Sequence, residues 1–482
     1  MTRPANPTPE PRDAPAGAAA DARPALRRLQ AGDVAHHLHP FTDPGALRRR
    51  APRVIVRGQG VRIWDAEGHE ILDAMSGLWC VNLGYGRSDL VEAAAAQMHR
   101  LPYYNTFFHT TTEPAAELAD ELVALAPPGM RAVFFTDSGS TANDTMVRMV
   151  RRYWELQGQP RRQVLVARRN AYHGSTLGAA SLGGMAEMHA QGGLPLPDFS
   201  HVEQPHRLLL GSPDESEEAF ALRAAGWLEQ RIAELGAERV AAFVMEPVQG
   251  AGGVIVPPPG YGRAIQAICR RHGVLLVSDE VICGFGRLGH WFGCSHPQID
   301  FEPDLITFAK GVTSGYLPLG GVLVGERVAE VLGEQGGEFA HGFTYSGHPV
   351  CCAVALANLR ALRREGVLRR VRDSTAPYLR RRFAELQQHP LAGDVEGLGM
   401  TAALVLWRDK ARREAFPPEA QAGRRCREAC FDCGVVMRAV GQRMVIAPPL
   451  VCSHADIDEI VGRIGLALER TLQGLRRDGW LH

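Results

Sequence analysis

The chain has 482 residues, 45% of them hydrophobic, more than a single hydrophobic core organises, so two or more domains are expected. Its 53 basic and 53 acidic side chains cancel, and nothing in the charge balance points to nucleic acid or an anionic membrane as partner. No apolar run approaches the roughly 20 residues that cross a bilayer, and the N-terminus lacks the apolar core of a signal peptide, which leaves the cytoplasm as the default location.

Residues 1–25, rich in Ala, Pro and Arg, have the composition of a disordered tail. Residues 26–75 form an N-terminal segment expected to pack with the smaller domain. It carries His36-His37-Leu38-His39-Pro40-Phe41, then a small sheet predicted from Arg53–Arg57, Gly60–Trp64 and Ile71-Leu72, with Asp65–His69 as a hairpin turn. From about residue 90, helical stretches (Leu90–Leu101, Glu113–Leu125, Thr141–Gln157) alternate with short β-branched runs. Those runs are Ala132–Phe135, Gln163–Ala167, Val240–Met245, Val274–Ser278 and Leu305–Phe308. The alternation predicts an α/β domain over residues 76–345 with a mostly parallel, doubly wound sheet. In such sheets ligands bind beyond the carboxyl ends of the strands. Residues 346–482 read as a separate, smaller α+β domain. Its elements are a helix near Pro349–Arg364, an Arg-rich amphipathic helix to about Gln388, a glycine-rich break at Gly393–Gly399, and strands at Met400–Leu406, near Met437-Arg438 and at Arg443–Ala447.

The ten cysteines, at 80, 269, 283, 294, 351, 352, 426, 430, 433 and 452, lie mostly in apolar or helical surroundings. Cys430 and Cys433 have CxxC spacing, but no second Cys/His pair lies nearby to complete a zinc site. Reduced, partly buried thiols account for them better, and no metal is expected.

Only two residues are lysine, Lys310 and Lys410; the other 51 basic side chains are arginine. Arginine cannot deprotonate, whereas a lysine with a lowered pKa becomes a nucleophilic amine able to form a Schiff base. Lys310 ends the apolar run Leu305–Ala309 and precedes a glycine, which marks it for covalent chemistry. Upstream, Phe134–Thr141 reads as a strand, a small polar turn (Ser138-Gly139-Ser140) and a helix start. Such N–H groups and hydroxyls suit a phosphate monoester, although a plain N-cap gives the same pattern. Val274–Ser278 runs into Asp279 and Glu280, and a strand-end aspartate can accept a hydrogen bond from a protonated ring nitrogen. A phosphate cradle, an anionic strand end and a Schiff-base lysine, in that order, are the fixed points required to hold pyridoxal 5'-phosphate.

Several further segments resemble class-III aminotransferases, and among them the ω-amino acid (amine):pyruvate transaminases. They are Ser76–Gly86, Pro102–Phe108, Tyr172–Thr176, Glu246–Gly250, Asp279–Arg287 and Gly342–Pro349, and the likeness runs from about residue 35 to the C-terminus. The resemblance implies a fold-type-I, aspartate aminotransferase-like large domain. It implies that Lys310 carries the cofactor and that Asp279 pairs with the pyridine nitrogen. Ser138, Gly139 and Ser140 would bind the phosphate, joined by Thr344 from the partner of a homodimer, with a dimer of dimers left open. Tyr172 would stack on one ring face and Val281 on the other, with His173 and Glu246 supporting the aspartate side. Trp79, Phe107, Phe108 and Tyr172 would wall the donor pocket, and Arg438 would hold the carboxylate of pyruvate.

Three positions depart from the wider family. Ile282 stands where many members have Gln, Ala251 where many have a Glu that gates the substrate arginine, and Thr141 where many have Glu at the helix start. Without the acidic gate Arg438 is free to swing, which favours the amine:pyruvate branch over the glutamate-dependent one. The implied reaction is ping-pong: Lys310 acts as general base, the primary amine leaves as aldehyde or ketone, and pyruvate leaves as alanine. An aminomutase or racemase on the same scaffold is the competing enzyme reading, and a non-catalytic cofactor-binding protein the competing reading from another class.

Overall fold

The computed structural model describes residues 19–481 and divides into two compact units, one reaching through residues 58 and 62–71, the other comprising residues 59–61 and 72 onward. Most of the stretch read as a disordered tail lies outside the described residues. Its last part does not: a helix starts at Ala19 and continues to His36. In the first unit a short helix, Pro44–Arg49, is capped by Asp43, whose carboxylate accepts from the Gly45 N–H at 2.8 Å. Strands β1 (Ile55–Gln59), β2 (Arg62–Asp65) and β3 (Glu70–Leu72) form the predicted three-stranded sheet. Its turn is held by buried Asp65, which accepts from the N–H groups of Glu67 and His69 and pairs with Arg53 at 3.0 Å.

The second unit is built on a seven-stranded sheet. Its strands are β4 (Met130–Thr136), β5 (Val164–Arg168), β6 (Phe199–Val202), β7 (Val240–Met245), β8 (Leu275–Asp279), β9 (Leu305–Phe308) and β10 (Gly320–Gly325), in the order β4-β10-β9-β8-β7-β5-β6. All run parallel except β10, which pairs antiparallel with both β4 and β9. The parallel strands β7, β8 and β9 are buried along their whole length, as expected of a sheet covered on both faces. Alternate residues serve two cores. Val244, Leu275, Val277 and Val322 meet Met146 and Val150 of the helix Gly139–Leu156, while Phe243, Leu276 and Ile306 join the core that includes Leu228 and Ile265. Strands β6 and β10 had no counterpart in the sequence reading. β6 is a four-residue edge strand, and β10 is a short run between glycines, so neither carries enough periodic signal.

A second sheet, antiparallel, contains β11 (Ala392–Gly397), β12 (Ala402–Leu406), β13 (Arg438–Val440) and β14 (Arg443–Ile446), in the order β11-β12-β14-β13. Both sheets belong to the second compact unit. The helix Pro349–Arg364 packs on the helices Ser88–Arg100 and Glu113–Leu125 through a buried, largely apolar face. The Arg-rich helix that follows is broken by a π turn at Val371–Thr375 just before Pro377, whose ring and missing N–H disfavour an unbroken helix there. Among the described residues no helix is long and apolar enough to cross a membrane.

Candidate active site

Beyond the carboxyl ends of β4, β5, β7, β8 and β9 lies a cavity of about 450 Å³ lined by residues from each of the connecting turns. The turn after β4 supplies Ser138, Gly139 and Ser140. Ser138 caps the helix Gly139–Leu156 in a capping box: its Oγ accepts from the Thr141 N–H at 3.2 Å, and its own N–H donates to Thr141 Oγ1 at 3.1 Å. Thr141 therefore completes the capping box, and the helix start is intact. Gly139 allows a close approach across the cavity, since a methyl group there would meet the two methyls of Val281 at 2.9 and 3.0 Å. Ser140 Oγ accepts from the Ser175 N–H at 3.0 Å, tying the phosphate-type cradle to the turn after β5.

Asp279 closes β8 and is 2% exposed. Its Oδ2 takes the Nδ1 of fully buried His173 at 2.7 Å and the Nδ2 of Asn143 at 2.9 Å, and its Oδ1 accepts from the Val281 N–H at 3.0 Å. Asn143 was not singled out in the sequence. Its amide also donates to the His173 carbonyl at 2.6 Å, so one side chain fixes both members of the His–Asp pair. The available signal was an asparagine on the buried face of a helix, one turn past the cap, where a polar group needs a partner. Glu246, just past β7, accepts from the N–H groups of Tyr172 (3.3 Å) and Gly250 (2.9 Å), and burial pushes its carboxyl above the ordinary carboxylate range.

Lys310 follows β9 with φ of 48°, a left-handed conformation sparsely populated by residues with side chains. Its surroundings over-determine it. Asn358 donates to the carbonyls of Gly311 and Val312 at 2.9 Å each and accepts from Ser314 Oγ at 2.6 Å, while Asn82 leaves no room for a side chain at Gly311. Desolvation lowers the Lys310 pKa, opposed by Asp279 and Glu246 across the cavity. Arg438, the first residue of β13 and paired with Val445 in the sheet, is half-buried and adds its positive charge to the field on Lys310; its guanidinium has no hydrogen bond or ion pair among the described residues.

One chain does not assemble the whole predicted site. Of the expected aromatic wall, Tyr172 alone lines the cavity. Trp79 is 2% exposed, packed in the core with φ of 65°, and lies outside the lining. Phe107 lines a different cavity, of about 350 Å³, together with Gly342, and Phe108 is 87% exposed. Thr344 is exposed as well, its carbonyl accepting from Tyr103 O–H at 2.8 Å. The segments 103–108 and 342–346 are bound to each other, not to the Lys310 cavity, because Thr106 also donates to the Ser346 carbonyl.

Residues 46–468 match the family model of the class-III aminotransferases. The chain belongs to that family. The class-III aminotransferase described here is 52% identical over 445 residues to the putrescine--pyruvate aminotransferase of Pseudomonas aeruginosa, covering 92% of this chain and 96% of that one. It is 41% identical over 434 residues to the diaminobutyrate--2-oxoglutarate transaminase of Halomonas elongata, covering 89% and 92%. Two solved structures share its fold with a TM-score of 0.90. The omega transaminase of Pseudomonas jessenii in complex with PMP has 38% identity over 94% of this chain and 100% of that one. The (S)-enantioselective omega-transaminase of Thermomicrobium roseum has 45% identity over 92% and 99%. The aminotransferase is thus an α/β enzyme of PLP fold type I, and its cofactor is pyridoxal 5'-phosphate. The cavity fits that group: a buried carboxylate for a ring nitrogen, a capped helix N-terminus with two hydroxyls for a phosphate, and a partly desolvated amine between them.

Proposed function

We propose that this enzyme transfers the amino group of an ω-amino acid or other primary amine to pyruvate, giving alanine and an aldehyde or ketone. The observation that carries the reading is Arg438: a half-buried guanidinium without a counter-ion, close enough to Lys310 to weigh on its charge. A guanidinium in that condition matches a substrate carboxylate, which it binds through two parallel N–H bonds. Ala251, buried and uncharged, provides no acidic alternative partner.

Pyridoxal phosphate, when bound, supplies the aldehyde carbon and the electron-poor ring that let an amine lose a proton. The chain's own groups do the rest. Asp279, fixed by His173, Asn143 and the Val281 N–H, would face the ring nitrogen and accept its hydrogen bond. Ser138, Gly139 and Ser140 would hold the phosphate. Tyr172 and Val281, both in the cavity lining, would bound the ring on its two faces, with Glu246 and His173 behind it. The Lys310 amine, with its proton affinity lowered by burial, moves a proton to and from the substrate carbon. Thr344 of the partner subunit would complete the phosphate site, and the nearby Phe107–Phe108 segment, with Phe108 exposed, would form part of the partner's donor wall, which makes the homodimer the working unit. Ten cysteines, none of them in a disulfide, support a reducing cytoplasmic location.

The test is to load the protein with pyridoxamine phosphate and add pyruvate or 2-oxoglutarate separately, following the return of the pyridoxal absorption. Fast conversion by pyruvate and slow conversion by 2-oxoglutarate is expected. The reverse preference refutes the acceptor assignment, and no conversion by either points to an isomerase. The name of the Pseudomonas aeruginosa relative puts putrescine first among the donors to screen.

A further inference from the structure

Arg443 opens β14, and its guanidinium is the centre of a cluster that joins three separate stretches of chain. Its Nε donates to the Gly253 carbonyl at 2.9 Å, and its Nη2 pairs with Glu396 of β11 at 2.6 Å. Its Nη1 lies 3.1 Å from His206 Nε2, which stands equally far from the Glu396 carboxylate. The side chains of Arg443, Glu396 and His206 are 13%, 17% and 8% exposed, so the pair is largely desolvated, and removing either charge strands the other. Gly253 leaves room for the contact: with φ of 119°, a methyl group there would meet Arg443 Nε at 3.0 Å and Cδ at 3.1 Å.

Both sides of this cluster lead to the cavity. On one side is the turn after β7. The Gly253 N–H donates to the Gly250 carbonyl at 3.0 Å, and the Gly250 N–H donates at 2.9 Å to Glu246, which lines the cavity. On the other side is β13, where Val440 lies opposite Arg443 and Arg438 opposite Val445. Opposed residues of an antiparallel pair share a face, and so do residues two apart. Arg438 and Arg443 therefore belong to the same face of the β13–β14 pair. With no described partner for its guanidinium, Arg438 is placed by its strand, and Arg443 ties that strand pair to the turn after β7.

We propose that Arg443, held by Glu396 and His206, is a positioning residue for the amino-group acceptor: it clamps the strand pair that carries Arg438 to the turn after β7 and so sets how far the Arg438 guanidinium stands from the Lys310 cavity. A short 2-oxo acid has to reach both at once, and a fixed separation is what makes its carboxylate and its carbonyl fit together. Arg443 acts through Arg438 and touches no reacting atom. The inference rests on the proposed role of Arg438 as the carboxylate site.

The test uses the loaded enzyme and reads its two half-reactions separately. Arg443→Met should raise the pyruvate KM roughly tenfold or more, with a much smaller change in kcat at saturating pyruvate. The single-turnover rate with a monoamine that lacks a carboxylate should change little. Glu396→Gln, which takes the counter-charge from Arg443, should give the same pattern. An unchanged pyruvate KM overturns the proposal, even where stability falls, and so do equal losses in the two half-reactions. Arg443→Lys keeps a charge beside Glu396 but loses the fork that also reaches the Gly253 carbonyl, so its KM should rise less, in the same direction. If Arg443→Met does not fold, Arg443→Lys decides, and a native pyruvate KM in it overturns the clamp. Arg438→Met is the reference. If it leaves the pyruvate KM unchanged, the carboxylate site itself is misplaced and the clamp falls with it; if it raises the KM and the Arg443 variants do not, the clamp alone fails.

Discussion

Asn143 Nδ2 lies 2.9 Å from Asp279 Oδ2 and joins the helix that opens on the phosphate-type turn to the carboxylate at the end of β8. In the proposed placement one rigid element would therefore grip the two ends of a bound pyridoxal phosphate, since Ser138 caps the same helix five residues earlier. Asn143→Ala removes a hydrogen bond to a charged group, worth about 1.5–3 kcal/mol. Cofactor Kd, read by absorption titration, should rise roughly tenfold or more. An unchanged Kd would mean that His173 and the Val281 N–H suffice to hold Asp279.

Burial lowers the Lys310 amine below its ordinary 10.5, so the folded, cofactor-free protein holds that proton less tightly than the unfolded chain. Its contribution to stability is therefore present above 10.5 and is lost as pH falls toward the lowered folded-state value. Lys310→Met removes this dependence. Urea midpoints of the two cofactor-free proteins should differ near neutral pH, with the variant more stable, and converge as pH approaches 10.5. Lys310→Ala should also abolish turnover while the protein still folds and binds cofactor.

Gly174 has φ of 143°, and a methyl group there would lie 2.6 Å from Ser140 Oγ and 2.7 Å from both Ser140 Cα and Ala179 Cβ. Two of those neighbours belong to Ser140, which lines the phosphate end of the cavity. Gly174→Ala should cost about 1–3 kcal/mol in the urea midpoint and weaken cofactor binding as well. Gly226, in the helix Glu217–Leu235 with nothing within 4 Å, is the control: alanine there should stabilise by about 0.5–1 kcal/mol.

Arg87 grips Asp89 at 2.7 Å and Glu365 at 2.6 Å, holding the start of the helix Ser88–Arg100. The Arg87 hydrogen bonds bring the Asp89 carboxyl down from 3.8 to about 2. Being depressed on folding, it stabilises above the unfolded value, and the contribution drains away as pH falls from 3.8 to about 2. With its side chain 35% exposed, solvent screening reduces this to about 1 kcal/mol at neutral pH. Asp89→Asn should cost that much at pH 7 and nearly nothing at pH 2 by urea denaturation, with a pH-independent cost counting against the ion pair.

Arg438→Met tests the acceptor side. Loss of a desolvated charge pair with a carboxylate costs about 2–5 kcal/mol, so kcat/KM for pyruvate should fall by roughly 30-fold or more. The half-reaction of an uncharged monoamine, followed in single turnover, should change little. Equal losses in both halves would make Arg438 a structural residue.

Chain order alone carried much of this protein. Lys310 and Asp279 were legible because their chemistry is tied to residue type and to the ends of apolar strands, and the helices and parallel strands because apolar periodicity marks what a covered sheet buries. The tertiary structure decided what depends on through-space neighbours. It placed β10 antiparallel between β4 and β9, set Asn143 against Asp279, buried Arg168 on the Glu246 carbonyl, and packed Trp79 into the core. It also left Phe108 and Thr344 exposed, away from the cavity of their own chain. These residues are separated by tens to hundreds of positions, and their partners follow from how the sheet is wound, because a hydrogen bond or a buried charge is defined by distance in space and leaves no periodic trace along the chain.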